Sequence, residues 1–123
     1  MAIYKTGPID NSPFMGVRET QILTVNIVNR DAINPYNLVI QGFVLDVVRT
    51  MYVNEMLVIA PNQALTRVFF ADLNAFEFLF ETGEEIETEI GISVWGKQSS
   101  GQLVDLHRIV TWEKKEGIIP TVN

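Results

Sequence analysis

Apolar and polar positions alternate with a period of two in seven successive stretches between Glu19 and Glu113, and no stretch sustains a helical period. The chain therefore predicts strands throughout. The segments are 20–29, 38–48, 49–59, 64–71, 75–81, 86–96 and 103–112, separated by Pro, Gly, Asn and Asp. Leu23, Val25 and Ile27 share one face of the first, while Phe76, Phe78 and Phe80 share one face of the fifth. Three phenylalanines on one side of a strand call for a thick, two-layer core. Ile86, Ile90, Ile92 and Val94 are predicted to point inward from the sixth, which sends Trp95 outward. Ala60-Pro61-Asn62-Gln63 reads as a hairpin turn, and Gly42 inside the second strand as a bulge or a close backbone approach. Short strands at this spacing predict an all-β fold, an antiparallel, jelly-roll-like β-sandwich of seven to eight strands.

Three parts follow along the chain. Residues 1–18, broken by Gly7, Pro8, Pro13 and Gly16, form an N-terminal arm, residues 19–113 the β-sandwich domain, and residues 114–123 a C-terminal tail. Ile3, Tyr4, Ile9, Phe14, Met15 and Val17 make the arm more apolar than a free tail. Two dispositions fit: an ordered segment over its own domain, or a connector that reaches a neighbouring subunit.

Several strands are also apolar on the face that should meet water. Ile40, Val44, Val47, Val48, Leu79, Leu106 and Val110 form this surplus. A sandwich buries one face of each sheet, so the surplus predicts cover from the arm, the tail or another subunit. Self-association accounts for it most economically.

Composition narrows the classes. A chain of 123 residues, 47% apolar and 20% charged, has the make-up of one folded domain. Nine Lys and Arg against fifteen Asp and Glu give a net charge of −6, which disfavours nucleic acid and anionic membrane surfaces as partners. There is no cysteine, so disulfides and thiolate metal sites are excluded. Met1 to Asp10 has one Lys and no apolar run, and no stretch is long enough for a membrane span. The expectation is synthesis in the cytoplasm without a signal peptide, and no membrane insertion.

Candidate chemistry is thin. His107 is the only histidine, too few for a histidine metal centre, and no nucleophile-elbow sequence frames Ser93, Ser99 or Ser100. Six carboxylates lie between Glu77 and Glu89, without the tight Asp/Asn loop spacing of a calcium site. They read as a solvated strand face, and as a glycosidase pair only if two of them faced each other across a cleft. Tyr36, Tyr52, Trp95 and Trp112 offer an aromatic platform for a sugar or, as readily, packing groups. No catalytic residue, cofactor or metal is predicted, and the chain reads as a non-enzyme.

The runs Thr24-Val-Asn-Ile-Val-Asn-Arg-Asp31, Ile92-Ser-Val-Trp-Gly-Lys97 and Gly101-Gln-Leu-Val-Asp-Leu-His-Arg108 resemble segments of short, uncharacterised β-domain proteins of spore-forming bacilli. An arm before one β domain also resembles, more loosely, the plan of endospore appendage subunits, whose N-terminal connector docks into neighbouring subunits and is cross-linked by cysteines. This chain departs from that family in having no cysteine. The resemblance implies non-covalent assembly into a fibre or surface layer, at a spore or cell surface. The expected partner is the chain itself, through Ile3, Tyr4, Ile9, Phe14, Val17, Ile40, Val44, Leu79, Trp95, Leu106 and Val110. The alternative expectation is a small binding module for carbohydrate or another surface ligand.

Overall fold

The computed structural model describes residues 2–13, 15–82, 90–100, 103–110 and 113–115, the last two stretches as backbone strands. Ten strands follow in order: β1 (Ala2–Lys5), β2 (Ile9–Asp10), β3 (Ile22–Asn29), β4 (Tyr36–Leu45), β5 (Arg49–Ile59), β6 (Ala64–Phe70), β7 (Ala75–Thr82), β8 (Ile90–Lys97), β9 (Leu103–Val110) and β10 (Glu113–Lys115). Two of them, β2 and β10, are shorter than four residues. There is no helix among the described residues. The strands form a six-stranded sheet in the order β10-β1-β7-β4-β5, with β2 also on β7, and a four-stranded sheet in the order β6-β3-β8-β9. Every pairing is antiparallel.

The sheets pack face to face as a β-sandwich, as the alternation predicts. Leu23, Val25, Ile27 and Val94 from the smaller sheet meet Leu38, Ile40, Ile59, Phe76, Phe78 and Phe80 from the larger, all buried. Phe78 is the centre of this layer. Its ring lies 5.4 Å from Phe69, 6.0 Å from Tyr52, 6.2 Å from Phe76 and 6.4 Å from Phe80.

Gly42 fulfils both expectations placed on it. The β4–β5 register shifts between Gly42 and Phe43, and a Cβ at Gly42 would stand 2.7 Å from the Phe78 ring. The ring is walled in and cannot retreat. Gly42→Ala is expected to cost about 2 kcal/mol of unfolding free energy in a urea titration, the penalty of overpacking a close-packed core.

The structure corrects three sequence expectations. Ile40, counted among the outward surplus, is fully buried, and Val44 shares its face, opposite Phe76. The outward side of β4 carries Val39, Gln41 and Phe43 instead, and Gln41 is the polar residue that marks it. Val47 and Val48 do not continue β4, which ends at Leu45; they form the turn into β5, where Val47 is 96% exposed. Ala60–Gln63 is a turn, with Gln63 N–H donating to the Ala60 carbonyl at 3.1 Å and Asn62 at φ 59°, the type II pattern after a proline. Its flanking strands are not a hairpin, because β5 pairs with β4 and β6 with β3. The turn carries the chain from one sheet to the other.

The arm supplies two strands of the larger sheet, running antiparallel along β7 from Ala2↔Thr82 to Asp10↔Ala75. Between them Gly7 swings out at φ 76°, and the Thr6 hydroxyl accepts from the Phe78 N–H at 3.0 Å to keep the ladder closed. Tyr4 and Ile9 face inward against the core. Asn11 then locks the end: buried, it accepts from the Thr20 N–H at 3.1 Å, and its amide nitrogen lies 2.8 Å from the Thr20, 3.2 Å from the Ala71 and 2.9 Å from the Leu73 carbonyl. Of the two dispositions predicted for the arm, this chain adopts the one along its own domain.

Candidate interaction surface

Pairing register fixes which side chains share each outer face. On the four-stranded sheet, rows run Phe70–Ile22–Lys97, Val68–Thr24–Trp95 and Thr66–Asn26–Ser93 across β6, β3 and β8. Val68 and Phe70 are 57% and 58% exposed, which is unusual for side chains of their size. Thr24, between Val68 and Trp95, is nearly covered by these neighbours at 6% exposure. Trp95 lies outward as predicted, half-buried in its row. The Thr66 hydroxyl and the Asn26 side-chain oxygen lie 3.0 Å apart beside it. At the far end Arg30 lies over Gly91, whose added Cβ would come within 2.8 Å of the guanidinium.

The outer face of the six-stranded sheet differs in charge. One row reads Ile3–Glu81–Val39–Met56 and the next Lys5–Leu79–Gln41–Asn54. Met56 and Val58 are exposed, whereas Ile3 and Leu79 are half-buried. Phe43 also faces outward, yet it is buried because Arg49 lies 3.6 Å above its ring and donates to Glu77 at 2.7 Å. A cation over an aromatic face, held by a carboxylate, hides what would otherwise be an exposed aromatic.

The two sheet edges beside each other, β5 and β6, are guarded. Glu55 and Arg67 both sit at inward positions of these edge strands, and Arg67 Nε meets Glu55 Oε2 at 2.9 Å across the gap between the sheets. Inward-pointing charges at edges oppose the addition of a further strand. The Tyr52 hydroxyl donates to the Phe70 carbonyl at the same seam, and burial pushes its pKa up to about 12.

Of the other residues marked out by sequence, Val17 is exposed near the end of the sandwich where Arg18 donates to Asp72 and Asn74. Leu106, His107 and Val110 belong to β9, described by its backbone pairing with β8 alone. Phe14, Trp112 and the carboxylates of Glu84, Glu85, Glu87 and Glu89 lie outside the described residues. Glu77 and Glu81 share the outer face of β7 about 13 Å apart along the strand. That is too wide for a glycosidase pair, and Glu77 is engaged by Arg49. Among the described residues no three His, Asp or Glu side chains group so as to hold a metal ion.

One loop carries a perturbed carboxylate. Asp31 accepts from the Ile33 and Asn34 N–H groups at 2.8 and 2.9 Å, from the Asn34 amide at 3.1 Å and from the Tyr36 hydroxyl at 3.0 Å. These donors, the Asn34 N–H first, hold its pKa at about 2, below the ordinary 3.8. A depressed carboxylate stabilises the fold above its unfolded pKa and loses that contribution as pH falls through the folded one. The urea midpoint is therefore expected to drop between pH 3.8 and about 2, and Asp31→Asn should flatten that part of the profile. An unchanged profile in the variant would show that the loop contacts do not depend on the charge.

Sequence reasoning missed Val68, Phe70, Met56 and Val58 as a set. They lie on β5 and β6, and only the sheet order shows that both are edges. A scan of protein-family profiles, a search of curated proteins and a search of solved structures each find no match to this chain.

Proposed function

We propose that this chain is a non-enzymatic structural subunit that assembles non-covalently with copies of itself into a fibre or surface layer. The observation that carries this reading is the exposure of large apolar side chains on both outer faces, Met51, Met56 and Val58 on one, Val68 and Phe70 on the other. Such residues cost free energy in water, and a contact that removes them from it recovers roughly 25 cal/mol for each Å² of apolar area. The guarded β5 and β6 edges favour faces over edges as the means of contact. The arm supports the same reading in a second way, since a strand that closes the β7 edge in one chain has the shape to close it in a neighbour. A spore or cell surface is the setting that the sequence resemblance implies for such a layer.

Light scattering and negative-stain imaging of the purified protein across a dilution series test the proposal. Mass that grows with concentration, together with extended particles, is the expected result. A sharp monomer at every concentration would sink it.

Trp95 beside the Thr66–Asn26–Ser93 row supports a second reading, a face that stacks and hydrogen-bonds a neutral sugar. Saturable binding on a glycan array by a monomer, abolished by Trp95→Ala, would favour the binding module over the subunit.

A further inference from the structure

The two outer faces differ in a way that selects the geometry of assembly. Among the described residues, the outward positions of β6, β3 and β8 include no Asp or Glu, although the chain carries fifteen. Lys97 stands in this face and Arg30 lies over its far end. Among the described side chains, the opposite face carries Glu77 and Glu81 on β7 and Asp10 at the end of β2, against Lys5 and Arg49. Over the described side chains, the first face is thus free of acids and carries two cations, while the second holds three acids against two bases. Each also has its own exposed apolar side chains.

We infer that copies of the chain stack head to tail, the outer face of the four-stranded sheet of one against the outer face of the six-stranded sheet of the next. This rests on the self-association reading and specifies its contact. A two-fold contact between like faces would set Lys97 and Arg30 against their own kind, or Glu81 against Glu81, and would leave the other face's apolar side chains in water. A head-to-tail contact pairs opposite signs and covers both sets. The two faces of a sandwich look in opposite directions, so the operation relating neighbours is close to a translation. It generates an open stack and does not close into a ring.

Size sets the strength of each contact. Four strands about 4.8 Å apart and seven residues long at about 3.3 Å each present a face of roughly 450 Å². A standard interface takes about 800 Å² from each partner, so one contact is weak. Assembly should depend on concentration and weaken in salt, as screening removes the charge complementarity.

Two variants test the geometry. Met56→Glu blocks the face of the six-stranded sheet and leaves the other intact; Phe70→Glu does the reverse. Both positions are exposed, so the fold is expected to persist, which circular dichroism checks; Val58→Glu and Val68→Glu form a second pair should either variant fail to fold. Under conditions where the wild type assembles, each variant alone should sediment as a monomer, and an equimolar mixture should form a 1:1 dimer and nothing larger. A homodimer of either variant alone overturns head-to-tail stacking in favour of a two-fold contact. A mixture that stays monomeric overturns it too. Variants that assemble as the wild type does overturn the face contact while self-association stands, whereas a wild type that never assembles removes the self-association reading itself.

Discussion

Phe78→Ala is expected to lower the unfolding free energy by about 4 kcal/mol, read from the urea midpoint at constant slope. The ring is fully buried and touches four other aromatic rings drawn from β5, β6 and β7, so truncation removes its transfer energy and leaves a cavity whose walls belong to both sheets. Those walls are held by ladders on either side and cannot fall inward. A loss of this size is a large part of the roughly 5–15 kcal/mol available to a domain of this class. The same site predicts strong coupling. A methyl group at Gly42 points at the Phe78 ring, so Gly42→Ala should cost little or nothing once the ring is gone. Additive losses in the double variant would show that the penalty at Gly42 arises from the backbone and not from the ring.

Asn29→Ala should cost about 3 kcal/mol, the second largest effect. Its side chain is fully buried at the end of β3, where the oxygen accepts from the Asp31 N–H at 2.9 Å. The amide nitrogen lies 2.9 Å from the Asn34 carbonyl and 3.2 Å from those of Ile59 and Ala60. One amide thus ties the 31–35 loop to the turn between the sheets. Truncation leaves carbonyls and an N–H without partners in a site that water reaches poorly. Asn29→Asp separates hydrogen bonding from packing: of equal size, it turns a carboxylate oxygen towards those carbonyls. It should be at least as damaging as alanine at neutral pH, and milder when acid protonates it. A neutral outcome for both variants would mean that the carbonyls find water.

Strands with one apolar and one polar face were legible in the sequence, and strands apolar on both faces were not. β3, β7 and β8 alternate cleanly, so Leu23, Phe76 and Val94 point where the pattern places them. β4 offers Leu38, Ile40 and Val44 on one side and Val39 and Phe43 on the other, and Phe43 draws the core to the wrong side. Its burial has a cause no pattern shows: a cation supplied by Arg49 and held by Glu77. Asn29 could have been found, because it continues the inward parity of Leu23, Val25 and Ile27, and a polar residue at such a position must be satisfied. Asn11 gave no such signal, since two of its partner carbonyls, those of Ala71 and Leu73, lie 60 and 62 residues along the chain. The exposed apolar side chains on β5 and β6 depend on sheet order, which is a property of long-range pairing and not of local alternation.

The arm along β7 has a kinetic meaning as well. Ile3 meets Glu81 and Lys115, so the strand nearest the N-terminus finds its partners only after most of the chain has taken shape. Contacts this distant in sequence carry a high entropy of closure and form late. Until they do, β7 presents an open, phenylalanine-backed edge, and the interval before the arm docks is when one copy is most able to capture a strand from another.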